Sequence, residues 1–345
     1  MGLGRRIAFR IIQAIGRSVT SFGYSICLAE LIISPAMPSA TTRGGGVFYP
    51  IVQSLSSAFD SEPGPTAGRI GKYLMQVGFH ADAVTCIMFL TSMAGNPLCV
   101  GLAASAIGVE LTWMQWAVAA IVPGLVCLLL VPLVLLRIAP PEIRQIPNAR
   151  QIARDELEKM GSMSRDELVL PFVFLICLVL WATGSLTGLG ATPIAMLAVS
   201  IMLIAGVLTW KDILAEKGAW DAMFWMGGLM ALATALSKSG FIKWAAAFIA
   251  DGIAGAHMGW ISSFLIISLI YIYSHYCFAS VTARISAMYA AFVAVAAACG
   301  AAPVYFGAGY VSQSEWWRNG FIVCTVNTVV WLTVGMARWK LIGLW

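Results

Sequence analysis

Apolar residues run through this chain in long blocks cut by short polar clusters, and block length decides what each can be. A helix needs roughly 17–25 mostly apolar residues to cross a bilayer. Leu111–Leu136, Leu168–Thr187, Pro193–Trp210, Ile261–Phe278 and Gly320–Leu341 have that length and character. Ser18–Ala36 predicts another apolar helix, stopped by Pro38-Ser-Ala-Thr-Thr-Arg-Gly-Gly-Gly46, after which Val47–Phe59 is apolar again. Two arms too short for two comfortable spans, joined by Pro, Ser, Thr and Gly, predict a re-entrant hairpin. Its non-helical tip must sit in protein or a wet cavity, because backbone amides exposed to lipid cost several kcal/mol each. Thr66–Thr91 runs into Ser92-Met-Ala-Gly-Asn-Pro97. Gly and Pro together in mid-membrane predict a discontinuous helix, resuming to about Gly108.

The second half repeats the plan. Trp220–Leu236 is a further apolar segment, and Trp260–Phe278 and Ile285–Cys299 are arms on either side of Ala279-Ser-Val-Thr-Ala-Arg284. At the start of the chain, Arg5, Arg6, Arg10 and Arg17 alternate with Ile, Phe and Leu. That spacing predicts an interfacial helix over residues 2–17, its arginines reaching the lipid headgroups. The predicted organisation is a first repeat over 1–138, a cytoplasmic linker over 139–167 and a second repeat over 168–345.

Composition sharpens the reading. Sixty per cent of the residues are hydrophobic and 11% are charged, against about 25% charged in a soluble domain. The fold class is an all-α polytopic membrane protein with inverted repeats, two re-entrant hairpins and discontinuous helices. The formal charge is +5, and the basic residues gather at the N-terminus, at Arg69–Lys72 and over Arg137–Arg165, which the positive-inside tendency places in the cytoplasm. These charges flank spans and form no continuous basic face, so nucleic acid is not a partner. With three histidines and no HExxH, GxSxG or paired Asp motif on facing spans, enzyme chemistry and a metal site are not expected. The eight cysteines include no CxxC pair and read as apolar packing residues. No cleavable signal is expected at the basic, amphipathic N-terminus. Trp316, Trp317, Trp339 and Trp345 stand near span ends, as interfacial anchors do.

One repeated pattern carries chemistry. Ser39-Ala-Thr-Thr-Arg43 and Ser280-Val-Thr-Ala-Arg284 share Ser-x-Thr-x-Arg, each between two apolar arms, one in each half. Hydroxyls and the free amides at a helix start are what a carboxylate needs. Two such tips facing each other in an inverted repeat would hold a carboxylate at each end of a dicarboxylate. Taken singly, Ser and Thr at these places could equally cap or pack helices.

Over nearly its whole length the chain resembles the divalent anion:sodium symporter superfamily, in particular its bacterial citrate/succinate and tartrate/succinate antiporters and plastid 2-oxoglutarate/malate translocators. The resemblance lies in Pro38–Ile51, Met88–Pro97, Pro140–Ile143, Met160–Ser164, His275–Tyr289, Ala302–Val311 and Trp339–Trp345. It implies substrate binding at two Ser-Asn-Thr-like tips, here Ser39, Ala40 and Thr41, and Ser280, Val281 and Thr282. It also implies a lining segment at Ala94, Gly95, Asn96 and Pro97. Three departures stand out. Ala40 and Val281 occupy the middle position, often Asn in sodium-coupled members. The family opens with several helices ahead of the point matched by Met1. Between Cys299 and Ala302 the family has a further helix and a Gly-Thr-Gly-Pro lining segment that this chain passes over.

The expected function is therefore secondary active transport exchanging di- or tricarboxylates (malate, 2-oxoglutarate, citrate, succinate or tartrate) by alternating access. The alternatives are a truncated, transport-inactive relative and a sodium-coupled dicarboxylate symporter. No cofactor is expected beyond coupling to Na+ or H+. Partners are the carboxylate anions, membrane lipid and, by family analogy, a second copy of the chain. The expected location is a bacterial inner membrane or a plastid inner envelope. Intramembrane ionisable groups add candidates: Arg284 and Arg43 as carboxylate-binding cations, His80 and Asp82 as an ion or proton site, and Glu30 and His275 as residues worth mutating.

Overall fold

The computed structural model describes residues 2–16, 18–107, 111–144, 149–217 and 313–342, with isolated positions between 219 and 285. The second motif, Ser280–Arg284, and His275 lie outside the described residues. Helix α1 (Leu3–Ile15) leads into α2 (Val19–Ile33), whose Ser18 cap accepts from the Ser21 amide. A single 3-10 turn, Ser34–Ala36, follows, and then extended chain to Ser39. Helix returns as α3 (Ala40–Arg43), widens into a π turn at Gly44–Phe48 and continues as α4 (Tyr49–Ser57).

The non-helical tip is thus shorter than the polar cluster predicted. Ser39 Oγ accepts from the Thr42 amide at 3.2 Å and starts a helix at once, so the three glycines are helical. The widening lies just before Pro50, which has no amide hydrogen for the helical ladder.

Helix α5 (Gly71–Met88) comes next, then the break Phe89–Ala94, α6 (Gly95–Ile107) and α7 (Trp113–Ile138). The linker holds α8 (Ala149–Lys159). Beyond it come α9 (Arg165–Ala182), the short α10 (Gly184–Thr187), α11 (Ala191–Ile204) and α12 (Trp210–Ala215); α13 (Gln313–Val330), a π turn and α14 (Met336–Leu341) close the described chain. The predicted span Leu168–Thr187 is interrupted at Thr183, where α9 ends, and its last turn is the separate α10, capped by Gly188 with φ +69°.

Helix α5 is the axis of the first half. It is buried along nearly its whole length among α2, α4 and α7, with Phe22, Ile26, Phe48, Leu55, Leu74, Val131 and Leu135 in one apolar core. The chain is an integral, multi-pass membrane protein. Val19–Ala36, Trp113–Ile138 and Phe321–Leu341 are long and apolar enough to cross a bilayer. On α9, Leu168, Phe172, Leu175 and Val179 form an outward stripe, each more than half exposed, an apolar face of the kind that marks a membrane or protein contact.

The three basic clusters come together on one side, as positive-inside placement requires. Arg150 donates to the Ala14 carbonyl at 2.7 Å. The Glu142 and Ile143 amides donate to the Gly68 and Arg69 carbonyls, both at 3.1 Å. Arg6 departs from the headgroup-facing expectation. It is buried, bonded to the Gly161 carbonyl at 2.8 Å and to Glu167 at 3.1 Å, and ties α1 to the start of α9.

Trp339 departs too. Pro123 inside α7 leaves the Ala119 carbonyl without its i+4 amide, and the Trp339 indole donates to that oxygen at 3.0 Å. The half-buried indole of a residue read as an interfacial anchor thus also satisfies a backbone group.

Candidate functional site

The first-half motif and the broken helix form one unit. The Ala94 amide donates to the Pro38 carbonyl at 2.9 Å, and Thr91 Oγ1 to the Pro35 carbonyl at 2.9 Å. The break is held from within by side chains. Asn96 Nδ2 donates to the Cys86 and Phe89 carbonyls at 2.7 and 2.9 Å, and Ser92 Oγ reaches the same oxygens at 2.6 and 2.7 Å. These are the carbonyls at the end of α5, which a helix terminus leaves orphaned and lipid cannot satisfy. Trp116 adds a bond from its indole to the Ile87 carbonyl at 2.9 Å.

At this unit Ser39, Thr41, Thr42 and Pro97 are exposed, whereas Ala40, Gly95 and Asn96 are buried. Asn96 therefore serves the break itself, and the surface open to a ligand is Ser39, Thr41 and the start of α3. The second motif lies outside the described residues, but Ile285, next to Arg284, is described and buried. A Cβ added to Gly95 would come within 2.8 Å of Ile285 Cδ1. The chain just past the second motif thus lies against the first-half break, with only a glycine's width between them.

Arg43 points away from that surface into the core, where its five N–H donors all find partners. Nε meets Glu30 Oε2 at 2.8 Å, and Nη1 meets the carbonyls of Met37 and Ser92 at 2.8 and 3.0 Å. Nη2 meets Asp82 Oδ1 and, at 3.0 Å, Cys86 Sγ. All three charged side chains are fully buried. One guanidinium therefore pins the tip (Met37), the break (Ser92), α2 and α5 to one another. Glu30 stands eleven residues beyond the start of α2, and Asp82 eleven beyond the start of α5. Both helices run inward from the basic side, so both carboxylates lie about 17 Å deep, mid-bilayer. His80 is buried on α5 with its ring edge-on to Phe79 at 4.9 Å.

An aromatic series, Phe89–Trp113–Trp181, stacks at 5.9 and 6.2 Å and joins the break to α9. Sequence reasoning missed Thr91, Ser92 and Trp113; the polar run after α5 signalled the first two, and nothing local signalled the third.

The chain is 43% identical to the "Putative malate transporter YflS" of Bacillus subtilis, all of it aligned to 77% of that protein. It is 40% identical to the "Dicarboxylate transporter 1, chloroplastic" of spinach over the whole chain and 65% of that protein. It is 33% identical to the "Inner membrane protein YbhI" of Escherichia coli, again over the whole chain. The first of these alignments spans 371 positions for a chain of 345 residues, leaving at least 26 positions where only the relative has residues. The family described as "Sodium:sulfate symporter transmembrane region" matches in two pieces, residues 1–303 and 297–345. The pieces meet at the Cys299–Ala302 junction, where the motif order already points to a passed-over segment. With matches running from end to end, this chain belongs to the sodium:sulfate symporter family.

Proposed function

We propose that the chain is the transport core of a secondary carrier that exchanges di- or tricarboxylates across a bacterial inner membrane or plastid envelope by alternating access. The observation that carries this reading is the fused tip and break, with Ser39 and Thr41 exposed at a helix start directly beside Gly95. Hydroxyls and the positive end of α3 suit a carboxylate. The names of the relatives, malate and dicarboxylate transporters, narrow the anion to that class. Ser280, Val281, Thr282 and Arg284 are proposed as the opposing grip; the contact of Ile285 with the Gly95 position supports it. Arg43 is a positioning residue behind the tip and not a ligand. Exchange is preferred to sodium symport because Ala40, where sodium-coupled members often carry Asn, offers no side-chain oxygen.

Counterflow tests this. Proteoliposomes loaded with unlabelled succinate should take up labelled malate or citrate without a sodium gradient. Uptake that demands sodium refutes exchange and favours the symporter. No uptake and no binding favours the inactive relative, for which the passed-over segment at Cys299 would be the cause.

A further inference from the structure

Two carboxylates and one guanidinium meet at mid-bilayer, and their charges do not balance. Glu30 and Asp82 contact Nε and Nη2 of Arg43, adjacent nitrogens on one edge of the guanidinium. A single carboxylate ordinarily takes that edge with both of its oxygens; here two share it. Glu30 Oε1 and both Asp82 oxygens are fully buried with no hydrogen-bond donor among the described residues, Asp82 Oδ1 meeting Nη2 as an ion pair only. Among the described residues, the titratable and polar side chains facing the pair are few. Cys27 stands one turn before Glu30 on α2, while Thr85 and Cys86 face Arg43 from α5. His80 lies two residues before Asp82, on the opposite side of α5. No second cation is present among these groups. Two carboxylates this close in a dry core cannot both stay ionised against the one positive charge that the described residues bring to them.

We propose that Glu30 and Asp82 share one bound proton beside Arg43, making a proton-binding site at the membrane midplane. The proton comes from water and adds to one carboxylate oxygen. The resulting O–H gives the pair the donor it lacks, and the cluster becomes neutral. A proton fits better than a sodium ion. A guanidinium stands next to the unclaimed oxygens, and the described residues hold no group of three or more His, Cys, Asp or Glu placed to hold a metal ion. The site couples to the tip, because Arg43 also holds the Met37 and Ser92 carbonyls. It stands on the charge count and not on the substrate reading, so either can fail alone.

The test is infrared spectroscopy of the full-length protein in lipid, without substrate. At neutral pH the wild type should show the carbonyl band of a protonated carboxylic acid, slow to shift in heavy water because the site is buried. The band should vanish in Glu30→Gln and again in Asp82→Asn, since each leaves one ionised carboxylate matched to Arg43. Both variants should keep the wild-type unfolding temperature within a few degrees, whereas the double variant, with Arg43 unmatched, should not. If one single variant fails to fold, the other decides. A wild type with no such band, or a band that survives in a folded single variant, overturns the proposal.

Discussion

Replacing Arg43 with Met keeps an unbranched apolar stem and removes the guanidinium with every bond it makes. Glu30 and Asp82 lose their partner in a core with no exposure, and the Met37 and Ser92 carbonyls lose their donor. Removing one partner of a buried ion pair costs about 3–5 kcal/mol. Each orphaned carbonyl adds about 1–3 kcal/mol where water cannot reach it. Without the guanidinium the carboxylates are tolerable only when protonated, so the deficit should shrink as pH falls. The native thiols supply the assay: Cys27, Cys86, Cys99, Cys127 and Cys177 are buried and form no disulfide, and a thiol-reactive dye reports their exposure on heating. Arg43→Met should unfold well below the wild type, and Arg43→Lys, with three donors for five, should fall between them. The variant carrying Glu30→Gln, Arg43→Met and Asp82→Asn together should recover much of the loss, because no charge then remains buried. Unfolding of Arg43→Met at the wild-type temperature, or a triple variant no better than the single, would refute this reasoning.

Other predictions follow from single contacts. Trp339→Phe removes only the donor to the Ala119 carbonyl and should cost about 1–3 kcal/mol, read in the same dye assay. Gly95→Ala would bring its methyl within 2.8 Å of Ile285 Cδ1 and 2.7 Å of Met93 Cε; transport should fall at normal expression, and Gly95→Ser should be no better. Asp212 accepts from the Thr209 hydroxyl at 2.6 Å and amide at 2.8 Å, which holds its carboxyl below the usual aspartate range. The cap it forms therefore helps above the unfolded aspartate pKa and weakens as pH falls through the lower folded value. Nuclear magnetic resonance titration should show that low midpoint, and Thr209→Ala should return it toward the ordinary value.

The spans were legible because hydropathy and length act locally: Trp113–Ile138 and Phe321–Leu341 stand close to where the apolar blocks put them. The tip was misjudged in extent. Three glycines and two threonines look unhelical, but the Ser39 cap and the tertiary anchoring of Arg43 make that segment helix. Composition marked Glu30, Arg43, His80 and Asp82 as suspects without telling that three of them pair, since they come from three elements brought together only by packing. Glu30 and Asp82 stand at equal distances past the starts of two inward-running helices only once α5 is seen to begin at Gly71 and not at Thr66, where the apolar block begins. Trp339 was read by position alone, when the proline at 123 already implied a carbonyl in need of a donor.

Affinity for a labelled dicarboxylate tests the two-ended grip most directly, measured on the folded protein and on Thr41→Ala and Thr282→Ala separately. A hydrogen bond to a charged group contributes about 1.5–3 kcal/mol, so each substitution should weaken malate or succinate binding roughly 10- to 100-fold and leave the unfolding temperature unchanged. Unaltered affinity in either folded variant would contradict a substrate held between the two hydroxyl turns.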